Sequence, residues 1–486
     1  MRTRFSSRRG SAQALSPQSR RTASVLVGLL WCLALLSVVV IGVLYNARLD
    51  LLVVKNHGDL IQAHYLALAG IEKTKALLYR DAKERQRSRQ NHSRELYDSP
   101  QNFREAAFGR GEFRIFRQGR RDEGGGLIYG VSDEESRLNL NQATADELGK
   151  LHQMTPEIVA AILDWRDPNS DVTTSGAESE YYASLQPAYL ARNSPFQTLR
   201  ELLMVRAVTR DLFMGEDVNQ NGLLDPEEDD RNESQPPDNG DGVLDAGWSG
   251  NLTVDSSVRN DNAAGEDRVN VQSADESALT GVHGITTQIA KAIVSSRGQK
   301  TIESLADLLD VTAPSPQNQP AAPQNLDANR PPPGGRSRST QTTPAPNNSA
   351  SQQPTGPKLI DENLLMDIAD DVTTSYEADL PGMINVNTAS PEVLACLPGI
   401  DERLAQAIVN YRQSSGFFPN VAHLLKVDGL SREIFKQVAP RVTVRSETYR
   451  ILSEGTVRST GARKRIQVIV RIGESNIETL SYREDL

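Results

Sequence analysis

The stretch INVNTASPEVLACLPGIDERLAQAIVNYR, residues 384–412, contains two short amphipathic segments separated by Pro398 and Gly399. Proline followed by glycine is a strong signal for a turn. Ser390 stands where the first segment begins, and its hydroxyl can accept a hydrogen bond from one of the unpartnered backbone N–H groups at a helix start. The stretch therefore predicts two short helices joined by a tight turn.

The same unit occurs twice more in the chain, and each copy opens with Asn and ends with Arg. The aligned segments are residues 139–166, 270–297 and 385–412, and the blocks that follow them are residues 196–205, 302–311 and 418–427. The helix-start positions hold Thr144, Asp275 and Ser390. Such regular repetition indicates a repeated supersecondary unit. The sequence therefore predicts three helical modules, the first interrupted by an insertion after Arg166.

Two helices joined by such a turn form a helix-hairpin-helix, a motif in which two turn glycines expose backbone N–H groups that hold a nucleic-acid phosphate. The second glycine is replaced in all three copies, by Thr155, Thr286 and Asp401. The net charge is −10, and it becomes −16 when six arginines within residues 1–21 are set aside. Because phosphate neutralisation dominates such affinity, the pattern favours packing or protein contact over DNA binding.

Residues 23–45 contain no charged side chain. At about 1.5 Å per residue, a helix of this length spans roughly 35 Å, which is enough to cross the hydrocarbon core of a membrane. The arginine-rich head, residues 1–22, predicts a cytoplasmic N-terminus and a C-terminal body on the opposite side. Apolar residues continue intermittently to Leu77. We therefore expect one long helix that leaves the membrane and packs on a folded domain.

Strand-like segments flank the helical modules. They are residues 111–117, 127–131, 448–457, 463–472 and 476–482. The alternation of polar and apolar side chains from Arg465 to Val470 is typical of a half-buried antiparallel sheet. The predicted fold class is α+β, with a long N-terminal transmembrane helix and an antiparallel sheet that is split by a large helical insert of three helix-hairpin-helix-like modules.

The predicted domain order follows from these segments. The N-terminal parts are the head (1–22), the transmembrane segment (23–45), and the helix extension with the first strands (46–132). Modules one and two with an acidic insertion (133–311), a linker (312–357), module three (358–445) and the C-terminal strands (446–486) follow. The linker is rich in Pro, Gln, Asn and Ser, and we expect it to be a disordered tether because it cannot bury enough apolar surface.

The segment after the first module has the spacing of a calcium-binding loop. Oxygen-bearing side chains occupy positions 1, 3, 5, 9 and 12, Gly222 stands at the sharp bend, and Leu223 would offer its backbone carbonyl. The side-chain ligands would be Asp217, Asn219, Asn221, Asp225 and Glu228. Because calcium favours several hard oxygen ligands, the sequence predicts a structural calcium site, with a solvated acidic loop as the alternative.

A second, less complete calcium loop follows the first. Asn239, Asp241 and Asp245 occupy positions 3, 5 and 9, but positions 1 and 12 carry no oxygen-bearing side chain. Asp238, or Glu178 and Glu180 from the insertion, would supply the missing oxygens. Calcium and a solvated acidic loop both remain open for this segment.

The sequence contains none of the common catalytic signatures. The six histidines have no metal-binding spacing, and no nucleophile elbow, phosphate loop or dinucleotide fingerprint occurs. These observations predict a protein that is not an enzyme.

Taken together, these features resemble the general secretion pathway protein K family, the large minor pseudopilins of the bacterial type II secretion system. The segments that carry the resemblance are residues 133–134 (DE), 138–141 (LNLN), 163–167 (LDWRD), 176–178 (GAE), 181–182 (YY), 193–195 (NSP) and 201–202 (EL). The resemblance implies a pilin-like sheet and a non-enzymatic subunit at the tip of a pseudopilus, with other minor pseudopilins as partners. It also implies a single-pass protein of the inner membrane whose body lies in the periplasm and supports export across the outer membrane.

Two further properties of that family bear on the N-terminus. Family precursors are cut after a glycine at the edge of the apolar run, where this chain has Ala23 followed by Ser24. K-type members lack the acidic fifth residue of other pseudopilins, and the apolar span here likewise contains no acid. A second function from another class stays open, namely a membrane-tethered helix-hairpin-helix DNA receptor of the competence type, because such receptors share the INVNTA-type module.

Overall fold

The structure is a computed structural model that describes residues 18–91, 93–229, 236, 239–313 and 356–484, with side chains from residue 25 onward. Most of the arginine-rich head, nearly all of the linker, and Asp238 lie outside the described residues. Ala23 and Ser24 lie within the first helix, but their side chains are outside the described part. The predictions of a disordered linker and of processing at Ala23 therefore remain predictions.

The helices and strands are numbered in chain order. The helices are α1 (Gln18–Ser88), α2 (Pro100–Phe103), α3 (Ala145–Leu148), α4 (Pro156–Arg166), α5 (Ser179–Ala183), α6 (Arg210–Met214), α7 (Gly247–Asn251), α8 (Glu276–Gly281), α9 (Thr287–Gln299), α10 (Glu362–Ile368), α11 (Pro391–Cys396), α12 (Glu402–Ser415) and α13 (Arg432–Val438). The strands are β1 (Ala106–Phe108), β2 (Gly111–Ile115), β3 (Arg117–Gln118), β4 (Leu127–Ile128), β5 (Ser132–Asp133), β6 (Leu138–Asn139), β7 (Leu252–Thr253), β8 (Ser257–Arg259), β9 (Val269–Asn270), β10 (Val372–Thr373), β11 (Asp379–Pro381), β12 (Ile384–Asn385), β13 (Val442–Thr443), β14 (Thr448–Val457), β15 (Arg463–Ile472) and β16 (Ile477–Arg483).

Helix α1 is 71 residues long and therefore spans about 105 Å. It is long and apolar enough to cross a membrane, and none of its most apolar window is buried inside the protein. Val25 and Trp31 in that window are 73% and 67% exposed. The single long helix predicted from the sequence is thus confirmed.

The C-terminal half of α1 packs along the sheet through one face. Ala63, Ala67 and Ile71 recur at helical spacing, and each is at most 1% exposed. The helix lies so close to β14 that a β-carbon at Gly455 would be 2.1 Å from the carbonyl oxygen of Ala63. Small residues on both sides therefore allow the helix to rest directly on the strand.

The main sheet joins strands from both ends of the chain. Within the described residues its order is β1-β2-β14-β15-β16, with β5 also pairing with β14, and every pair is antiparallel. The predicted sheet, split by a helical insert, is thus confirmed. The strand expected at residues 127–131 is wrong in part: only β4 forms, and it pairs with β3 outside this sheet. The N–H of Val131 instead donates to the carbonyl of Leu96.

The three modules have the same local construction. In each, the opening Asn accepts a hydrogen bond from the backbone N–H two residues later, through Asn139, Asn270 and Asn385. The predicted caps Thr144, Asp275 and Ser390 each accept from the N–H three residues later. The terminal arginines Arg166, Arg297 and Arg412 each donate to a backbone carbonyl near the start of their own module. These contacts explain why the two ends of every copy share the same residue types.

The modules also share one hydrophobic core. It extends from Leu138 in β6 to Val444 after β13, whereas the sheet and α1 enclose a separate core around Ile71, Ile451 and Val468. Each module opens with a short strand that forms a two-residue parallel ladder, pairing β6 with β7, β9 with β10 and β12 with β13. The fold class predicted from the sequence is confirmed.

Candidate metal centres and helix-hairpin-helix surfaces

The first predicted calcium loop follows α6 and folds around its own acidic side chains. Asp217 accepts hydrogen bonds from the backbone N–H groups of Asn221 at 2.9 Å and Gly222 at 3.0 Å. Gly222 has a φ of +72°, which suits glycine at the sharp bend. Asn219 also accepts from the N–H of Asn221, at 2.9 Å. The first three predicted ligands therefore converge on one turn.

The last two predicted ligands close the same loop. Glu228 accepts from the N–H groups of Val218 and Asp225, each at 3.1 Å. The Asp225 carboxylate accepts from the side-chain amides of Asn219 at 2.9 Å and Asn221 at 2.6 Å. Leu223, the predicted carbonyl ligand, buries its side chain against Phe116 and Leu452 of the sheet region. The structure thus brings all six predicted residues into one loop that is attached to the sheet.

Burial makes this loop electrostatically costly without a cation. Asp217 and Glu228 are only 3% and 7% exposed. Burial raises the pKa of both carboxyl groups, and the charges of Asp217 and Asp225 raise the pKa of Glu228 further. A hard divalent cation between these oxygens would offset the repulsion, so the donor set fits calcium.

The second loop is built around a residue that the sequence interpretation missed. Glu216 is 5% exposed, and its carboxylate accepts from the N–H groups of Asn239 at 3.2 Å and Asp245 at 3.0 Å. Asp241 instead forms an ion pair with Arg121. The sequence signal that could have identified Glu216 is its position, because it is an acidic residue directly before Asp217, the first position of the first loop.

Glu178 lies beside two acids with which the sequence interpretation did not group it. Its carboxylate, assigned to the second loop, lies within 4.8 Å of carboxylate oxygens of Asp164 and Asp167. All three come from the first module and its insertion. The LDWRD and GAE segments therefore meet in space.

The hairpin turns of modules two and three face other helices of the protein. Gly284 and Gly399 have φ values of +93° and +73°, as a tight turn requires. A β-carbon at Gly284 would be 3.0 Å from Leu364 in α10, and one at Gly399 would be 3.5 Å from Ile434 in α13. Helices therefore cover the surface on which a DNA-binding hairpin would place a phosphate.

The turn of module three also places an acidic side chain where a nucleic-acid phosphate would have to bind. The Asp401 carboxylate accepts from the N–H of Leu404 at 2.8 Å at the start of α12, where an anion would otherwise bind. Lys150 of module one donates to the carbonyls of Ala395 at 3.0 Å and Ile400 at 3.3 Å. A cation from a neighbouring module thus rests on carbonyl groups, and the hairpin serves a contact between modules.

Two family models match parts of the chain. Residues 131–214 match the model described as type II secretion system (T2SS), protein K, and residues 382–443 match the helix-hairpin-helix motif. The first match contains the LNLN, LDWRD and GAE segments, and the second contains module three.

The curated relatives match shorter segments. ComE operon protein 1 of Bacillus subtilis is 32% identical over 63 residues, which are 13% of this chain and 31% of that protein. Endonuclease/exonuclease/phosphatase family domain-containing protein 1 of Bos taurus is 24% identical over 181 residues, or 36% of this chain and 28% of that protein. The chain therefore spans less than a third of the length of these relatives.

A solved structure is also similar over most of the chain. It is the GspK-GspI-GspJ complex of the enterotoxigenic Escherichia coli type 2 secretion system, with 12% identity and a TM-score of 0.33, covering 87% of this chain and 97% of that chain.

The architecture defines a class of protein in which a long apolar helix continues onto an antiparallel sheet, and helix-hairpin-helix modules are inserted between the strands of that sheet. Within this class, residues 131–214 match the family model of type II secretion system protein K, which confirms the resemblance predicted from the sequence.

Proposed function

We propose that the protein is a non-enzymatic minor pseudopilin at the tip of a type II secretion pseudopilus, where it supports protein export across the outer membrane. Its apolar helix spans the inner membrane once, its body lies in the periplasm, and its partners are other minor pseudopilins. The observation that carries this proposal is the protein K domain at residues 131–214, inserted into a sheet that rests on a membrane-length helix.

The shape of the molecule supports a terminal position in a filament. All three modules are inserted between β5 and β14 and share one core, so they form a single bulky body on one sheet. A body of this size obstructs the addition of another subunit above it. The absence of an acid in the apolar span fits the same position, because a tip subunit has no neighbour above with which to pair.

The α1 surface beyond the membrane segment supports association with partner helices. Ile61 and Tyr65 are one helical turn apart, and they are 46% and 64% exposed. Other exposed apolar side chains on the same part of the helix are Leu51, Leu52, Val53, Val54 and Leu60. A contiguous apolar surface of this kind marks an interaction site, and the helices of other pseudopilins are the occupants that we propose.

Substitution of this surface should prevent assembly without unfolding the subunit. We expect the double variant Ile61→Glu/Tyr65→Glu to lose co-purification with the other minor pseudopilins and to reduce secretion at least tenfold in a complementation assay. The control is Leu190→Glu, which changes a 67% exposed apolar residue in the insertion of module one. Normal co-purification of the double variant would contradict the proposed partners.

Calcium belongs to this proposal as a structural ion of the first loop. Asp217, Asn219, Asn221, Asp225 and Glu228 would hold it, together with the carbonyl oxygen of Leu223. The second loop, with Asn239, Asp241 and Asp245, is a weaker candidate because Asp241 already pairs with Arg121. In the first loop, the ion would join the acidic insertion to the sheet through the contact of Leu223 with Phe116.

A membrane-tethered DNA receptor is the second candidate, favoured by the helix-hairpin-helix match and by the similarity to ComE operon protein 1. The covered turns of modules two and three and the −10 net charge oppose it. We expect the detergent-solubilised chain to give no salt-sensitive mobility shift of duplex DNA at low ionic strength. The variant Asp401→Gly restores the second turn glycine and tests whether the missing glycine alone prevents DNA binding. Tight binding by the unchanged chain would favour the receptor function.

A further inference from the structure

Two buried carboxyl groups lie where the main sheet meets the helical body, which we define as residues 138–444. Asp133 is the last residue of β5, and Glu135 follows two residues later on the way into module one. Asp133 is 4% exposed and Glu135 is 0% exposed. The two side chains are hydrogen-bonded to each other. Because ionised carboxylates can only accept hydrogen bonds, this contact requires a proton on one of them.

Asp133 is the member of the pair that contacts module three. Its Oδ2 accepts hydrogen bonds from the side-chain amide of Asn385 at 3.0 Å and from the hydroxyl of Thr388. The hydroxyl of Ser446, which follows module three, donates to the same oxygen. The N–H of Glu135 donates to Asp133 Oδ1 at 2.8 Å. Donors aimed at a carboxyl group favour its charged form, so Asp133 is the carboxylate of the pair.

Glu135 contacts the sheet and the segment between modules one and two. Its Oε2 accepts from the N–H of Thr448 in β14 at 3.1 Å, and its Oε1 accepts from the N–H of Ser257 in β8 at 3.2 Å. Its backbone carbonyl accepts from the N–H of Asn385 at 2.8 Å. Burial, followed by the charge of Asp133, raises the pKa of Glu135 well above its usual value. The proton of the pair therefore resides on Glu135.

Two arginines on neighbouring strands are engaged by other acids. Arg450 of β14 pairs with Glu134 at 2.7 Å, and Arg259 of β8 pairs with Glu447 at 3.2 Å. Within the described residues, neither carboxyl group of the buried pair forms an ion pair of its own. These arginines therefore do not replace the proton as the compensating charge.

The cations on the other adjoining elements are engaged in the same way. Arg85 of α1 pairs with Asp81 at 3.0 Å, and Arg445, directly before Ser446, pairs with Asp261. The surroundings of the pair from α1 and from the end of module three thus add no uncompensated positive charge.

Three further titratable side chains lie near the pair. Arg137 is buried, which lowers its pKa to about 10, and it interacts with Glu134 more strongly than with Asp133. Burial raises the pKa of both Tyr97 and Tyr449, so these phenols remain neutral where Glu135 would ionise. The proton on Glu135 is therefore the group at this junction that a rise in pH removes.

We propose that Asp133 and Glu135 share one proton, and that this proton holds the helical body on the main sheet. With the proton present, Glu135 donates to Asp133, and both groups keep the donors that reach them from module three, β8 and β14. When the proton passes to solvent, two adjacent buried carboxylates repel each other. Burial of unpaired charge is costly, so the junction must open to admit water.

The sign of the pH dependence follows from the raised pKa of Glu135. The pair contributes stability that is fully present below the unfolded pKa of glutamate and is lost as pH rises through the folded pKa. The junction should therefore loosen from mildly acidic towards alkaline pH. The variant Glu135→Gln has nearly the same shape, can donate its amide to Asp133 and cannot ionise, so its junction should stay closed.

The first test is amide hydrogen exchange of the detergent-solubilised full chain, followed in peptides that contain Asn385 or Thr448. At alkaline pH we expect roughly tenfold or greater protection in Glu135→Gln relative to the unchanged chain, the factor that one pH unit of proton linkage supplies. At mildly acidic pH the two should be equal. The control is Glu112→Gln in β2, whose side chain is 27% exposed, and it should follow the unchanged chain.

Comparison at equal pH removes the intrinsic pH dependence of exchange. Glu135→Ala, which lacks the donor, should lose protection at every pH. If Glu135 had only a packing role, Glu135→Gln and the unchanged chain would show the same protection at all pH values, and the proposal would be overturned.

Infrared spectroscopy detects the proton directly in the unchanged chain. A protonated carboxyl group absorbs at a higher C=O stretching frequency than a carboxylate. The spectra are recorded at neutral pH, above the pKa of about 6 to which burial raises Asp255. We expect the protonated band in the unchanged chain and in Glu112→Gln, and a band weaker by one carboxyl group in Glu135→Gln. An equal band in Glu135→Gln would contradict the shared proton. Neither readout depends on secretion, so this proposal stands apart from the proposed function.

Discussion

Replacing Arg450 with methionine is expected to cost about 3–5 kcal/mol of unfolding free energy at neutral pH, because the change leaves a buried carboxylate without its ion partner. Arg450 Nε lies 2.7 Å from Glu134 Oε1, and the Glu134 side chain is 0% exposed. Thr253 Oγ1 also donates to this carboxylate, at 2.5 Å. The pair joins β14 of the main sheet to the start of the helical insert, so its loss affects both parts of the fold.

The pH dependence of this loss has a defined sign. Burial alone would raise the pKa of Glu134, but Arg450 and then Arg137 lower it below its usual value. In the unchanged protein this carboxylate contributes stability above its unfolded pKa and loses it as pH falls through the depressed folded pKa. Without Arg450 the folded pKa rises. The unfolding free energy that Arg450→Met loses should therefore become smaller as the pH is lowered towards the usual glutamate pKa.

A neighbouring carboxyl group adds to the effect at neutral pH. Burial, and then the charge of Glu134, raises the pKa of Asp255 to about 6, while Arg450 acts in the opposite direction. A raised folded pKa means that stability is fully present below the unfolded pKa and is lost as pH rises through about 6. Removing Arg450 leaves the buried Glu134 and the half-buried Asp255 both negatively charged at pH 7, so the loss of unfolding free energy should be larger there than at pH 5.

The matched control is Arg458→Met. Arg458 follows the same strand and pairs with Glu112, but the two side chains are 54% and 27% exposed. Exposed pairs of this kind contribute about 0–1 kcal/mol. Thermal unfolding should therefore give a decrease in Tm of about 10 °C for Arg450→Met and little change for Arg458→Met. Similar small decreases in both variants would contradict the assignment of Glu134 as a buried partner at the junction.

The features that the sequence predicted correctly depend on near neighbours in the chain. A cap at Thr144 acts on the N–H three residues later, and the ligand spacing from Asp217 to Glu228 is local in the same sense. The repeat made these local signals stronger, because three copies carried a capping residue at the same position and the same terminal arginine. The long helix was equally accessible, since its apolar run alone predicts it.

The features that the sequence did not predict depend on residues far apart in the chain. Glu134 and Arg450 are 316 positions apart, and Lys150 reaches carbonyls of module three about 250 positions later. The proximity of Glu178 to Asp164 was not predicted for the same reason. Nearness in sequence favoured the second loop, but a tight turn around Gly176 directs the carboxylate to Asp164. Turn geometry of this kind follows from packing that no single segment encodes.

Calcium should stabilise the protein strongly through the loop of Asp217. An ion that binds only the folded state at 100 times its Kd adds about 2.7 kcal/mol, which corresponds to a rise in Tm of about 5–10 °C. We expect Asp217→Ala and Glu228→Ala each to abolish most of this rise. The Asp217 carboxylate accepts from two backbone N–H groups of the bend, and Glu228 accepts from the N–H of Val218 and so closes the loop. Each variant therefore removes a ligand from a different end of the loop.

The control for these variants is Asp229→Ala, which removes an exposed acid next to Glu228. If calcium acted only by screening the negative charge of the insertion, all three substitutions would weaken the response equally. If it is held by the loop, Asp229→Ala should keep the full rise, whereas the other two lose it. Because Leu223 fastens the loop against Phe116 and Leu452, the ion should also slow amide hydrogen exchange in β14. A calcium response that is unchanged in Asp217→Ala and Glu228→Ala would exclude this loop as the stabilising site.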